Sequence, residues 1–237
     1  MENVAPAVQG RRRAGRPPQP VLGSSRITKA ALRLIARDGY KGLTMSALAR
    51  LLNVAPSALY NHVSSKQDVL LLVEDHLMAG VDISGFAAGT WQQGVRCWAW
   101  SYRNVFARHT PLIPVIAVLP VTNAPQTVKM YEAVTAGFQA AGWAPERIID
   151  AIVALESFIF GSAFDVNAPA EIFDAGELAA DAPLFTQAVA RRGAGTGAAA
   201  GAAAGAAERP VSSSDAAFGL GLEALIDGLW AHRTMAR

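Results

Sequence analysis

A chain of 237 residues that is 51% hydrophobic is long enough to bury a sizeable core. Its single cysteine, Cys97, excludes an intrachain disulfide, and no stretch reaches the roughly 18 uninterrupted apolar residues that a membrane span needs. The net charge of +2 hides a division, because residues 1–62 carry about +8 and the remainder about −6, the asymmetry of a polyanion-binding module joined to an ordinary globular domain.

Residues 1–23 mix arginines with prolines and glycines and have almost no apolar periodicity, so they are expected to form a disordered basic arm. They also lack an apolar signal core, which points to a cytoplasmic protein without a membrane partner. From Ser25 to Arg37 the residues Ile27, Ala30, Ala31, Leu34 and Ile35 recur at helical spacing, and Gly39 is placed to end that helix. Thr44 is an N-cap candidate for a short second helix that carries Leu48, Leu51 and Leu52 and stops at Asn53. Pro56 suits the first position of a third helix with Leu59 and Val63 on its buried side. Ser64 and Gln67 have capping-box spacing at the head of a fourth, through Val69, Leu70, Val73 and Leu77.

Beyond Gly80 a glycine- and serine-rich loop leads to a helix over about 90–108, with Trp91, Val95, Trp98, Tyr102 and Phe106 along one side. Prolines limit residues 109–123 to short pieces, and two helices follow at about 125–141 and 145–164. The run 193–214, low in complexity and interrupted by glycines that cost roughly 1 kcal/mol each in a helix, is expected to be a flexible Ala/Gly-rich linker. An Ala-rich surface helix is its competitor. A last amphipathic helix spans about 215–231. No strand pattern competes, so the fold class is all-α.

The spacing within residues 46–63 describes a helix-turn-helix. Ala49 permits close approach of two helices, Asn53 can take the left-handed turn conformation, and Leu59 fills the core between them. A plain helical hairpin would share that spacing. What favours DNA is the surface left over, because Ser57, Tyr60, Asn61 and His62 project from the third helix and can contact bases or phosphates. Lys66, in the first turn of the fourth helix, opposes the helix dipole, a conflict that a phosphate there would remove.

The segment Ser25 to Leu72, with Leu43-Thr44-Met45, Leu48-Ala49, Val54-Ala55, Leu59-Tyr60-Asn61-His62-Val63 and Lys66, resembles the N-terminal domain of TetR-type repressors. The resemblance implies a three-helix DNA-binding domain over 24–72 and a C-terminal antiparallel helical domain over 73–237 that binds ligand and dimerises. It also implies that Thr44, Tyr60, His62 and Lys66 hold the phosphate backbone of double-stranded operator DNA, with Ser46, Pro56, Ser57 and Asn61 closest to base edges. Ser46 stands where the family often has arginine and Asn53 where it usually has glycine. The arm around Gly15-Arg16-Pro17 is similar to minor-groove hooks, so Arg16 is a further candidate contact.

A weaker likeness to tetracycline-type C-terminal domains runs through residues 91–165. It implies an effector pocket lined by Trp98, Tyr102, Ile116, Tyr131, Val134, Thr135, Ile152 and Glu156, each aromatic or aliphatic member of which has core packing as its plainer role. Ile116 takes the place of the metal-binding histidine, so no metal or cofactor is expected. Glu156 interrupts the apolar run 148–164 and, if buried, needs a partner; Arg103 or Arg147 is the expected one, with a ligand amine or hydroxyl the alternative. The helices at 145–164 and 215–231 would pair with their copies in a homodimer on a palindromic operator that a small-molecule effector releases. Two other classes remain open: a ligand-independent architectural DNA-binding protein, and a helical enzyme, against which the four scattered histidines and the absence of a phosphate loop both count.

Overall fold

The computed structural model describes residues 22–169, 171–202 and 212–234, with side chains throughout except at 193–202. The arm and Arg16 lie outside the described residues. Within them all regular structure is helical: α1 (Ser24–Gly42), α2 (Met45–Leu52), α3 (Pro56–Tyr60), α4 (Lys66–Met78), α5 (Gly85–Ala88), α6 (Trp91–Ala107), α7 (Ile113–Ile116), α8 (Pro125–Ala140), α9 (Pro145–Asp165), α10 (Pro183–Ala202) and α11 (Ser213–His232).

The N-terminal helices form because apolar residues at helical spacing bury one stripe. Ile27, Ala30, Ala31, Leu34 and Ile35 of α1 meet Leu48, Ala49 and Leu52 of α2 together with Leu59 and Val63, all of them buried. Thr44 caps α2, its hydroxyl oxygen accepting the Ala47 N–H at 3.1 Å. Asn53 closes α2 at φ 55°, ψ 48°, the left-handed conformation that asparagine tolerates better than most residues. Arg26 reaches from α1 to donate to the Leu52 carbonyl at 2.9 Å, locking the two helices together.

Several boundaries differ from expectation. At Gly39 the backbone turns to φ 70°, ψ 178°, yet helical turns resume through Gly42, so the glycine kinks α1 instead of ending it. The cap of α4 is Ser65 with Asp68, not Ser64 with Gln67. The Asp68 carboxylate accepts the backbone N–H groups of Ser64 at 2.7 Å and Ser65 at 3.1 Å, and a charged acceptor near the positive end of the helix outcompetes the neutral amide of Gln67. α3 is only five residues long, which leaves Asn61 and His62 in the turn after it and not on the helix.

The C-terminal domain is layered around α6, which packs on α9, while α4 packs on α8 and α11 on α9. Thr90 and Gln93 form a capping box at the head of α6, and the stripe Trp91, Val95, Trp98, Tyr102 and Phe106 is fully buried, as its spacing predicts. Trp91 closes one end of the core, its ring centroid 5.1 Å from Phe138, 5.2 Å from Trp143 and 5.5 Å from Trp230. The unforeseen α5 is a single turn held by Phe86, whose ring occupies the space that side chains at Gly94 and Gly137 would otherwise fill. Arg103, fully buried, joins three helices by donating to Ser162 of α9 at 3.0 Å and to Asp215 of α11 at 2.6 Å.

The linker expectation needs correction over part of its length. Helix α10 starts at Pro183 and continues through the Ala/Gly run to Ala202, so the alanines' preference for helix outweighs the intervening glycines there. Residues 203–211 lie outside the described residues.

Candidate nucleic-acid interface and effector site

Two sites emerge, one at each end of α4. Around its N-terminus, Thr44, Ser46, Pro56, Ser57, Asn61 and His62 are all exposed, and Tyr60 shows half of its surface to solvent. The apolar members of the same segment, Leu48, Ala49, Leu52, Leu59 and Val63, are turned the other way into the core. Thr44 caps α2 and Pro56 starts α3, whereas no side-chain hydrogen bond engages Ser46, Ser57, Asn61 or His62 among the described residues.

Lys66 behaves differently from its expectation as an unsatisfied cation. Its Nζ lies 3.3 Å from the carbonyl oxygen of Tyr40 and 3.8 Å above the centre of that ring, so α1 already offsets part of the dipole conflict. An ammonium carries three donors, and the Tyr40 carbonyl takes up one of them.

The second site is a polar cluster inside the C-terminal domain. Glu156 of α9, only 9% exposed, accepts on one oxygen from Tyr131 of α8 at 2.8 Å and from Tyr102 of α6 at 3.2 Å. The expected pairing with an arginine does not occur. Arg103 is committed to Ser162 and Asp215, and Arg147 donates to the His232 carbonyl at 3.2 Å. Burial pushes the Glu156 carboxyl above the usual range, and its two phenol donors pull in the opposite direction. Burial and the neighbouring carboxylate raise both tyrosines.

Trp98, Ile116, Val134 and Ile152 are buried in the same apolar core, so packing accounts for them as it stands. Thr135 is half-buried on α8, and no side-chain hydrogen bond joins it to the cluster. No group of three or more potential metal-ligating side chains occurs among the described residues.

Glu74 of α4 was not foreseen, although it stands four residues after Leu70 and three before Leu77 and so shares their buried stripe. It is 3% exposed and one of its carboxylate oxygens has no hydrogen-bond partner. Burial, followed by the charges of Asp75 and Glu156, pushes its pKa up to about 7. The adjacent Asp75 accepts the backbone N–H groups of Gln126 at 2.6 Å and Thr127 at 3.2 Å, capping α8, which has no side-chain cap of its own. Helix α4 is thus part of both sites.

A helix-turn-helix with its polar face exposed, joined by a shared helix to a helical domain with a polar heart, defines the class of helical DNA-binding regulators. The chain belongs to the TetR family: "Bacterial regulatory proteins, tetR family" matches residues 27–73 and "Tetracyclin repressor-like, C-terminal domain" matches residues 87–233. It is a transcriptional regulator and not an enzyme, as its family and relatives are.

An HTH-type transcriptional regulator of Saccharopolyspora erythraea is 29% identical over 144 residues, 61% of each chain. The HTH-type transcriptional repressor DrrR1 of Streptomyces coeruleorubidus is 25% identical over 64% of this chain and 56% of its own. The chain therefore spans about three fifths of the length of these curated relatives. Among solved structures, the Streptomyces coelicolor TetR family protein ActR in complex with actinorhodin superposes with a TM-score of 0.70 at 23% identity, over 92% of this chain and all of its own. A TetR variant from Acinetobacter baumannii in complex with minocycline gives 0.69 at 21% identity, over 92% and 98%. At these identities the likeness is one of fold.

Proposed function

We propose that this regulator is a cytoplasmic repressor that binds a palindromic operator as a homodimer and is released when a small molecule enters the C-terminal domain. The observation that carries the reading is the double role of α4. Its first turn carries Lys66, four residues after the exposed Tyr60-Asn61-His62 segment, and two turns later the same helix buries Glu74 near Tyr102, Tyr131 and Glu156. A ligand that rearranges the second group must move, or hold, the element that aims the first. Its differential affinity for the two positions sets how far the population shifts.

In this reading Thr44, Tyr60, His62 and Lys66 grip phosphates, Ser46, Pro56, Ser57 and Asn61 lie at base edges, and Arg16 follows the minor groove. Trp98, Tyr102, Ile116, Tyr131, Val134, Thr135, Ile152 and Glu156 line the effector site once it opens. The homodimer is supported by apolar residues that α9 and α11 leave uncovered, Ile149, Val153, Phe164 and above all Leu220, which is 77% exposed. Isologous pairing of those two packed helices would form a four-helix interface and place two reading heads on one side of the molecule.

The ActR–actinorhodin and DrrR1 relatives support a ligand-responsive repressor by analogy. The test is selection of bound fragments from genomic DNA by the purified protein. Recovery of a shared inverted repeat, with two half-sites about one helical turn apart, supports the reading. Recovery of fragments with no common sequence favours an architectural DNA-binding protein and contradicts it.

A further inference from the structure

Two carboxyl groups are buried among α4, α6, α8 and α9, and neither has a cation as partner among the described residues. Glu156 is partly compensated by the two phenols that donate to one of its oxygens. Glu74 is not, because one of its oxygens accepts nothing while the side chain is 97% removed from solvent, being 3% exposed. Arginine and lysine are absent from the partners of both groups among the described residues; the buried Arg103 is turned toward Asp215 and Ser162. A second polar atom nearby is also idle. Trp98 is fully buried and its indole N–H has no acceptor, although its ring lies 5.6 Å from that of Tyr102.

Taken on the reading that this cluster is the effector site, we propose that the effector is an aromatic amine bound as its ammonium ion, with the ammonium donating to Glu74 and Glu156. Burying a carboxylate without a partner is unfavourable, and an ammonium placed between two of them satisfies both at once. The residues around the cluster suit the remainder of such a molecule. Trp98, Tyr102, Phe106 and Phe160 pack ring against ring at centroid spacings of 5.6, 5.2 and 5.2 Å, so a flat aromatic body enters only as these rings part, and it then meets faces that favour cations. The free indole N–H of Trp98 adds a place for one hydrogen-bond acceptor on that body. Burial and the neighbouring carboxylates raise Glu74 to about 7, so near neutral pH a proton and the ammonium compete for its carboxyl. An acidic or neutral polycycle would leave the idle oxygen of Glu74 unanswered.

Three anthracene derivatives of similar size separate charge from shape: anthracenylmethylammonium, anthracenylmethanol and anthracene carboxylate. Titrated calorimetrically into the full-length protein near neutral pH, the ammonium should bind at least about tenfold more tightly than the alcohol, and the carboxylate least. Glu74→Gln should remove most of that preference, and Glu156→Gln, which leaves the idle oxygen of Glu74 in place, should reduce it less. Equal or stronger binding of the alcohol or carboxylate, no binding by any of the three, or a preference that survives Glu74→Gln in a variant that melts cooperatively would overturn the proposal. Operator release by the alcohol or carboxylate would remove the charge assignment while leaving ligand-controlled repression standing. Failure of the unliganded protein to prefer any DNA would strike the underlying reading instead.

Discussion

Asp75 of α4 caps α8, its carboxylate oxygen 2.6 Å from the backbone nitrogen of Gln126. One carboxylate therefore hooks the helix that leaves the DNA-binding domain onto the helix that carries Tyr131, a donor to Glu156. Asp75→Ala removes the only side-chain cap that α8 has, and should cost about 1–2 kcal/mol of stability in urea denaturation. In the same variant, an effector should lower DNA affinity less than it does in the unmutated protein, because motion of α8 would no longer be passed directly to α4. Unchanged stability would show the contact to be energetically idle.

A pH dependence of stability follows from Glu74. Its pKa is raised to about 7 in the folded protein from 4.5 when free, so between those values the folded state holds a proton that the unfolded state has lost. Stability should therefore fall as pH rises from about 4.5 toward 7, by up to about 3 kcal/mol, and then level off. Glu74→Gln should flatten that slope and melt at a higher temperature than the unmutated protein above pH 7. Thermal unfolding of both proteins across this range reads the effect directly.

For the interface with DNA, Lys66→Ala should weaken binding to every sequence and reduce the salt slope by about one unit, as expected for a phosphate contact. Asn61→Ala should alter which bases are preferred and cost about 1–3 kcal/mol on the operator alone. Fluorescence anisotropy on operator and scrambled duplexes at several salt concentrations separates the two patterns. A sequence-dependent loss from Lys66→Ala would reassign that residue.

Dimerisation can be addressed at the exposed apolar positions. Placing a charge at Val153 or Leu220, as in Val153→Lys or Leu220→Glu, should produce a folded monomer by sedimentation, since each side chain is solvent-exposed within one chain and a charge is costly only where a second copy would bury it. Such a monomer should lose most operator affinity, because only one half-site can be engaged at a time. An oligomeric state unaffected by both substitutions would place the interface elsewhere.

Much of the architecture was legible in the sequence because it rests on local rules. The apolar stripe of α6 follows from helical spacing, and the caps at Thr44 and Asn53 and the proline starts of α3, α8 and α9 each follow from one residue type at one position. The exposure of Ser57, Tyr60, Asn61 and His62 was legible from the surface left over once the apolar positions of 46–63 are buried. Competition and tertiary contact account for the rest. Ser64 and Ser65 are both plausible caps, and only the geometry of Asp68 chooses between them.

The proposed effector site was legible in half. Glu156 drew notice as a charge within an apolar run, but its tyrosine donors come from α6 and α8, which no local pattern brings together. Glu74 was passed over because the polar residues around it, Asp75 and His76, make that stretch of α4 resemble a solvated face. Arg103 misled in the opposite way, since it was expected to pair with Glu156 yet is claimed by Asp215 of α11.

The central claim is that the polar surface around Tyr60, Asn61 and His62 reads a specific DNA sequence. It is tested most directly by measuring, at one fixed salt concentration, the affinity of the full-length protein for the duplex it selects from genomic DNA and for a scrambled duplex of equal length. The account predicts a preference on the order of a thousandfold or more; equal affinity for the two would contradict it.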